Sequence, residues 1–268
     1  MLLHIALVSS TKEVSLAQLA LRLERILVQS TVFLIDRGCS NRAVCGCATE
    51  AAMTGIRTFG IDISSYSGKI DWQKIKSGPV HFVLARASYI SFKHGKFSEQ
   101  KDSMFSSYWP ALAGGSMRRG AYHFCRPQYD ADKSIKLFFD AYAPTKGDIV
   151  PTLDIEDQYA DVTSVSRKDK LAQIRRMVEL TTQHLGGRKL MIYTKKRVWT
   201  ALGNPDEFSD CPLWVIDYNS DYDPVLPKSW SSFTFWQSGE NKKMDGIAGD
   251  YDPDFFNGRP EDMNQVCL

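Results

Sequence analysis

Two carboxylic acids separated by one apolar residue, Asp154-Ile155-Glu156, close the run Val150-Pro151-Thr152-Leu153. If that run is a β-strand, side chains alternate between faces. Asp154 and Glu156 then share one face about 6.6 Å apart along the strand, and Ile155 points away. Two acids in one partly buried space separate in proton affinity, because burial and a like charge raise one while hydrogen bonds keep the other ionised. A proton donor beside an anion is what cleavage of a glycosidic bond requires. An isolated pair of this kind more often caps a helix or faces water. The company it keeps favours chemistry: Asp62 also ends an apolar run, Asp252 lies in Gly249-Asp250-Tyr251-Asp252, and aromatic residues end several other runs. Acids with aromatic faces around them suit a cleft for sugars.

The elements that must position these acids are legible as short apolar runs ending in polar residues. They fall at 59–62, 81–86, 121–124, 149–156, 189–193, 213–218 and 232–237, and read as buried parallel strands. Between them the clearest helical pattern covers 167–185, where Leu171, Ile174, Val178, Thr181 and Leu185 share a stripe. Strand-helix alternation predicts an α/β barrel or a doubly wound sheet, with the active site at the C-terminal strand ends. Ahead of this region, Leu16, Leu19, Leu23, Ile26 and Leu27 mark an amphipathic helix over 15–28. A short strand follows over 31–35, then a stretch rich in Gly, Ala and Cys over 38–55.

With 268 residues, 43% hydrophobic and 24% charged, the chain can bury a sizeable core. A formal charge of +2 is too small to build the basic field that nucleic-acid binding needs, so nucleic acid is not an expected partner. No transmembrane segment is expected either, since the best apolar stretch, 26–35, is interrupted by Gln29, Ser30 and Thr31. The apolar run 2–8 has no Lys or Arg before it and reads poorly as a signal peptide. The six cysteines lack a CxxC pair and read as reduced thiols; only Cys45-Gly46-Cys47 offers a redox or metal alternative. No metal and no cofactor are expected.

Gly60-Ile61-Asp62-Ile63-Ser64, followed by Gly68-Lys69-Ile70-Asp71-Trp72, resembles the opening motif of the glycoside hydrolase family 25 lysozymes, the Chalaropsis-type N-acetylmuramidases. Further matches follow in order at 82–87, Gly120-Ala121-Tyr122-His123-Phe124, Leu153-Asp154-Ile155-Glu156, Ile192-Tyr193-Thr194, Leu213-Trp214-Val215, Phe235-Trp236-Gln237 and 246–258. The resemblance implies a flattened, irregular TIM-like β/α barrel over 58–268 with a short N-terminal extension, 1–57. It implies cleavage of the β-1,4 bond between N-acetylmuramic acid and N-acetylglucosamine in peptidoglycan. By the same carry-over Glu156 is the general acid, Asp154 its partner carboxylate, and Asp62 and Asp252 two further acids of the catalytic centre. Asp250 stands where the family pattern has Asn. Tyr122, Tyr193 and Trp214 become candidate sugar contacts, with Gln237 as a hydrogen-bond partner.

Carboxyl spacing along a strand does not choose between retaining, inverting and substrate-assisted routes. The rival class is a noncatalytic peptidoglycan-binding module. A chitinase-like hydrolase is weaker, because Pro151, Thr152 and Leu153 stand where alternating acids would be expected. His123 is expected to be structural, Arg86 to pair with a barrel acid, and Asp71 and Asp217 to serve caps or turns. A chain made in the cytoplasm without a leader would act on the wall after release, or ride on a phage particle or secretion assembly. The stripe over 16–27 is expected to engage a docking partner or a second copy.

Overall fold

The computed structural model describes residues 55–156 and 165–268. The helix expected over 15–28, the strand over 31–35, and Cys39, Cys45, Cys47 and Asp157 lie outside the described residues. The described residues fall within the unit Ala52–Leu268.

All seven apolar runs form strands, and two more join them: β1 (Thr58–Ile63), β2 (Phe82–Lys93), β3 (Lys96–Lys101), β4 (Arg118–Cys125), β5 (Ile149–Ile155), β6 (Met191–Thr194), β7 (Leu213–Ile216), β8 (Phe235–Gln237) and β9 (Asp252–Phe256). The order β1-β9-β8-β7-β6-β5-β4-β2 is closed by direct pairing of β1 with β2, giving an eight-strand barrel. Seven of the eight run parallel; β9 is antiparallel to both its neighbours. β3 adds to the outer part of β2 as a hairpin across His94 and Gly95, both at positive φ, the backbone that tight hairpin turns need. The sequence hid both extra strands. β3 reads Lys-Phe-Ser-Glu-Gln-Lys with no apolar run, and β9 carries Pro253, which ordinarily argues against a strand.

Five helices are seen among the described residues: α1 (Trp72–Ser77), α2 (Phe105–Ala111), α3 (Ala131–Ala141), α4 (Arg167–His184) and α5 (Lys196–Ala201). Helix α4 matches the predicted stripe. Ser166 caps it by accepting from Asp169 N, Ile174 and Thr181 are fully buried, and Leu171, Val178 and Leu185 pack at the margin. Asp71 caps α1, as expected. Outward strand residues such as Val83, Leu153, Ile192 and Val215 form one core with the helices.

Inward residues form a second core inside the barrel. Phe82, Phe235 and Phe256 pack with centroids 4.9 and 5.1 Å apart, and a 3₁₀ turn over Pro260–Val266 plugs this end with Met263. Gly60 is required here, because a Cβ would lie 2.4 Å from the Phe82 ring. Two ladder shifts re-aim the strands above this layer. One lies at Ala87, between Arg86 and Ser88 of β2; the other lies where β5 carries Pro151, whose missing N–H costs least at a bulge.

Candidate active site

At the C-terminal ends of the parallel strands the interior turns from apolar to acidic. β9 runs the other way, so its N-terminal end arrives at this same face, and Asp252 pairs in register with Asp62 of β1. Alternation along β5 carries Asp154 inward and brings Glu156 to the same rim, 4% and 8% exposed. All four acids read from the sequence therefore line one cleft of about 330 Å³. Tyr89, Ile90 and Phe92 of the β2 overhang line it on one side, and Tyr66, Asn241 and Tyr251 also border it.

One glutamine organises the floor. Gln237 Nε2 donates to Asp62 Oδ2 at 2.7 Å and to Asp252 Oδ2 at 3.3 Å, while its Oε1 accepts from Tyr193 OH at 2.8 Å and Tyr218 OH at 2.6 Å. Tyr122 OH donates to Asp62 Oδ1 at 3.3 Å, and Asn241 N donates to Asp252 Oδ1 at 2.7 Å. Trp214 lies under Tyr122 and Tyr193, 1% exposed, with its Nε1 donating to Asp254 Oδ1 at 2.8 Å. The four expected sugar contacts thus stand together at the floor, with their polar atoms already engaged by acids or by each other. Lys195 Nζ donates to Glu156 Oε2 at 2.8 Å, fixing that carboxyl on one side.

Burial dominates the electrostatics. It raises Asp154 well above the usual carboxylate range, and the charges of Glu156 and Asp62 add to this against Arg86 and Lys195. Asp62 is raised by burial and then by Asp252, opposed by its hydrogen bonds. Asp252 is pushed up to about 6, chiefly by burial. Asp154 Oδ1 is buried and meets no donor. A buried acceptor left unmet is costly unless something supplies a donor, and Asp154 is one of the residues that line the cleft.

The remaining expectations fall outside the cleft floor. His123 is fully buried between Ser88 Oγ and Ser134 Oγ, each 2.8 Å away, with its pKa lowered to about 3 by burial, so it is a neutral structural group. Arg86 borders the cleft but pairs with Asp102 at 2.8 Å, an acid of the loop after β3. Asp217 accepts from Asn219 N, Ser220 Oγ and Val225 N in a turn. Trp236 points out of the barrel, donating to Asp217 O at 2.7 Å. Cys125, Cys211 and Cys267 are buried thiols.

Sequence reading missed Asp254, Lys195, Tyr218 and Asn241. Asp254 was findable: it stands two residues after Asp252, the same alternation that pairs Asp154 with Glu156. Lys195, Tyr218 and Asn241 sit in loops or at strand ends, where spacing carries no signal. Among the described residues no group of three or more His, Cys, Asp and Glu side chains is arranged to hold a metal ion, and no helix is long and apolar enough to cross a membrane.

The uncharacterised Escherichia coli (strain K12) protein YegX is 28% identical over 204 residues, covering 76% of this chain and 71% of its own. Lysozyme M1 of Streptomyces globisporus is 26% identical, covering 74% of this chain and 67% of its own. The crystal structure of the Streptomyces coelicolor lysozyme superposes with a TM-score of 0.69 at 24% identity, over 78% of this chain and 96% of that one, so the closed barrel is a shared fold. The family model described as "Glycosyl hydrolases family 25" matches residues 61–247, a span that contains Asp62, Asp154 and Glu156. The chain belongs to glycosyl hydrolase family 25.

Proposed function

We propose that this protein is a muramidase that cleaves the β-1,4 bond between N-acetylmuramic acid and N-acetylglucosamine in peptidoglycan. The observation that carries the reading is the convergence of Asp62, Asp154, Glu156 and Asp252 on one cleft in a chain of this family. Lysozyme M1 and the N,O-diacetylmuramidase of Chalaropsis sp, 24% identical over 217 residues, support the substrate class.

In this mechanism Glu156 protonates the oxygen that leaves as the glycosidic bond breaks, and the sugar's anomeric carbon develops positive charge. The Asp154 carboxyl, which lines the cleft, accepts from the N–H of the substrate's 2-acetamido group. That contact aims the amide carbonyl oxygen at the anomeric carbon, where it forms the new C–O bond. Water then attacks the same carbon, gives its proton to the Glu156 carboxylate, and restores the acetamide. Asp62 and Asp252 supply negative charge near the developing cation, and Tyr122, Tyr193, Trp214 and Gln237 shape the floor. Delivery to the wall after host-cell lysis, or on a phage particle or secretion assembly, belongs to the same reading.

Digestion of purified cell walls followed by borohydride reduction and mass spectrometry tests it. New reducing ends should be N-acetylmuramic acid. Reducing ends of N-acetylglucosamine would overturn the bond assignment, and glycan binding without product would favour a noncatalytic wall-binding module.

A further inference from the structure

Asp254 is fully buried beneath the cleft, opposite Gly60 in the β1–β9 ladder. Its Oδ1 accepts from Trp214 Nε1, but its Oδ2 meets no N–H or O–H donor. Asp62 pairs with Asp252 and Gly60 with Asp254 in the same ladder, so the Asp254 and Asp62 carboxyls are diagonal neighbours on the barrel's inner face. Two carboxylate oxygens can be joined only through a proton, so one of the two acids carries it. The surrounding donors decide which. Asp62 accepts from Tyr122 OH and Gln237 Nε2, whereas Asp254 accepts from Trp214 alone, so negative charge is better held on Asp62. Asp252, the next inward residue of β9, adds a further acid beside the pair. The neutral donors reach the pair from β4, β7 and β8.

We propose that Asp254 is a positioning residue for the glycosidase reaction: its protonated carboxyl donates from Oδ2 to Asp62, so the pair carries one negative charge and that charge is held on Asp62. The proposal rests on the reading of Asp62 as part of the catalytic centre. It gives the otherwise donorless Oδ2 a partner by making it the donor. It also gives Asp62 three hydrogen bonds, enough to fix an anion at the floor before substrate arrives.

The test compares wild type, Asp254→Asn and Asp254→Ala for kcat and KM on purified peptidoglycan, with infrared spectra of the unliganded proteins at neutral pH. Asn keeps an N–H for Asp62 and a carbonyl for Trp214, so most turnover should survive. Ala removes the donor, and kcat should fall by about 10–100-fold, the usual scale for an outer-shell partner, with little change in KM. The wild-type minus Asp254→Asn spectrum should contain the C=O band of a protonated carboxyl. If Asp254→Asn is as impaired as Asp254→Ala, or if the band is absent from the difference spectrum, Asp254 is not the donor. Should Asp254→Ala fail to fold, the Asn turnover and the spectrum still decide. A wild type without activity on peptidoglycan would refute the functional reading, while the spectrum alone would still judge the proton on Asp254.

Discussion

A step of two positions leads from Gly60 to Asp62 along β1 and from Phe235 to Gln237 along β8, and across that step the barrel interior changes from an aromatic layer to a polar, acidic one. Both halves are lined by the same strands with the same alternation. Below, Phe82, Phe235, Phe256 and Met263 fill the space, each 5% exposed or less. Each such side chain contributes about 1.5–3 kcal/mol by leaving water. Above, Asp62, Asp154, Asp252 and Asp254 are all raised by burial, so the fold holds them at a cost in stability. Stability and chemistry are thus stacked along one axis, and substitutions in the two halves should separate them.

The sharpest separation comes from Glu156→Gln. The amide keeps size and shape at a rim position and removes the proton that the leaving oxygen needs. Turnover of cell-wall substrate should fall by about 10²–10⁴-fold, with an unchanged circular dichroism spectrum and retained glycan binding. Near-normal lysis by the folded variant would dismiss Glu156 as the acid. Phe235→Ala should do the reverse. It deletes the ring that touches both Phe82 and Phe256, so the chain should lose about 3–5 kcal/mol of stability in denaturant unfolding. The molecules still folded at low temperature should turn over substrate at close to the wild-type rate. A folded Phe235→Ala protein with little activity would show that the lower layer shapes the cleft directly.

The lower half was the easier to read. Apolar runs mark β1, β2, β4, β5, β6, β7 and β8, and the α4 stripe marks its packing face, because burial on both sides of a parallel strand leaves a continuous signal. The Asp154-Ile155-Glu156 pair was legible for the same reason, period-two alternation at a strand end. The antiparallel course of β9 was not. Pro253 interrupts the strand signal, and closure by a short antiparallel strand depends on pairings between residues almost 200 positions apart, Thr58 with Phe256 among them. The hydrogen bonds that make Gln237 the hinge of the floor join β1, β6, β8 and β9, and no local pattern encodes them.

The smallest expected effect, and the most direct reading of the cost borne by the upper half, is the pH dependence of stability. Asp252 has a folded pKa of about 6, above its ordinary value of 3.8. Below that ordinary value both folded and unfolded chains hold the proton, and burial of the neutral acid carries little electrostatic penalty. Between 3.8 and about 6 the unfolded chain releases the proton while the folded chain keeps it, so stability falls as pH rises. Above about 6 both states are ionised and the loss is constant. Asp62, Asp154 and Asp254 push in the same direction, each from its ordinary pKa to its own raised value. Asp252→Asn removes one contribution and keeps an oxygen that can accept from Asn241 N. Its melting temperature should match wild type near pH 4 and exceed it at pH 7. For a domain of this size each kcal/mol recovered raises the midpoint by about 2–4 °C, and one such increment is the expected scale at a partly exposed acid. Melting curves that stay parallel from pH 4 to pH 8 would mean that Asp252 ionises at its ordinary pKa, and that the strain of the acidic half resides in Asp62, Asp154 and Asp254 alone.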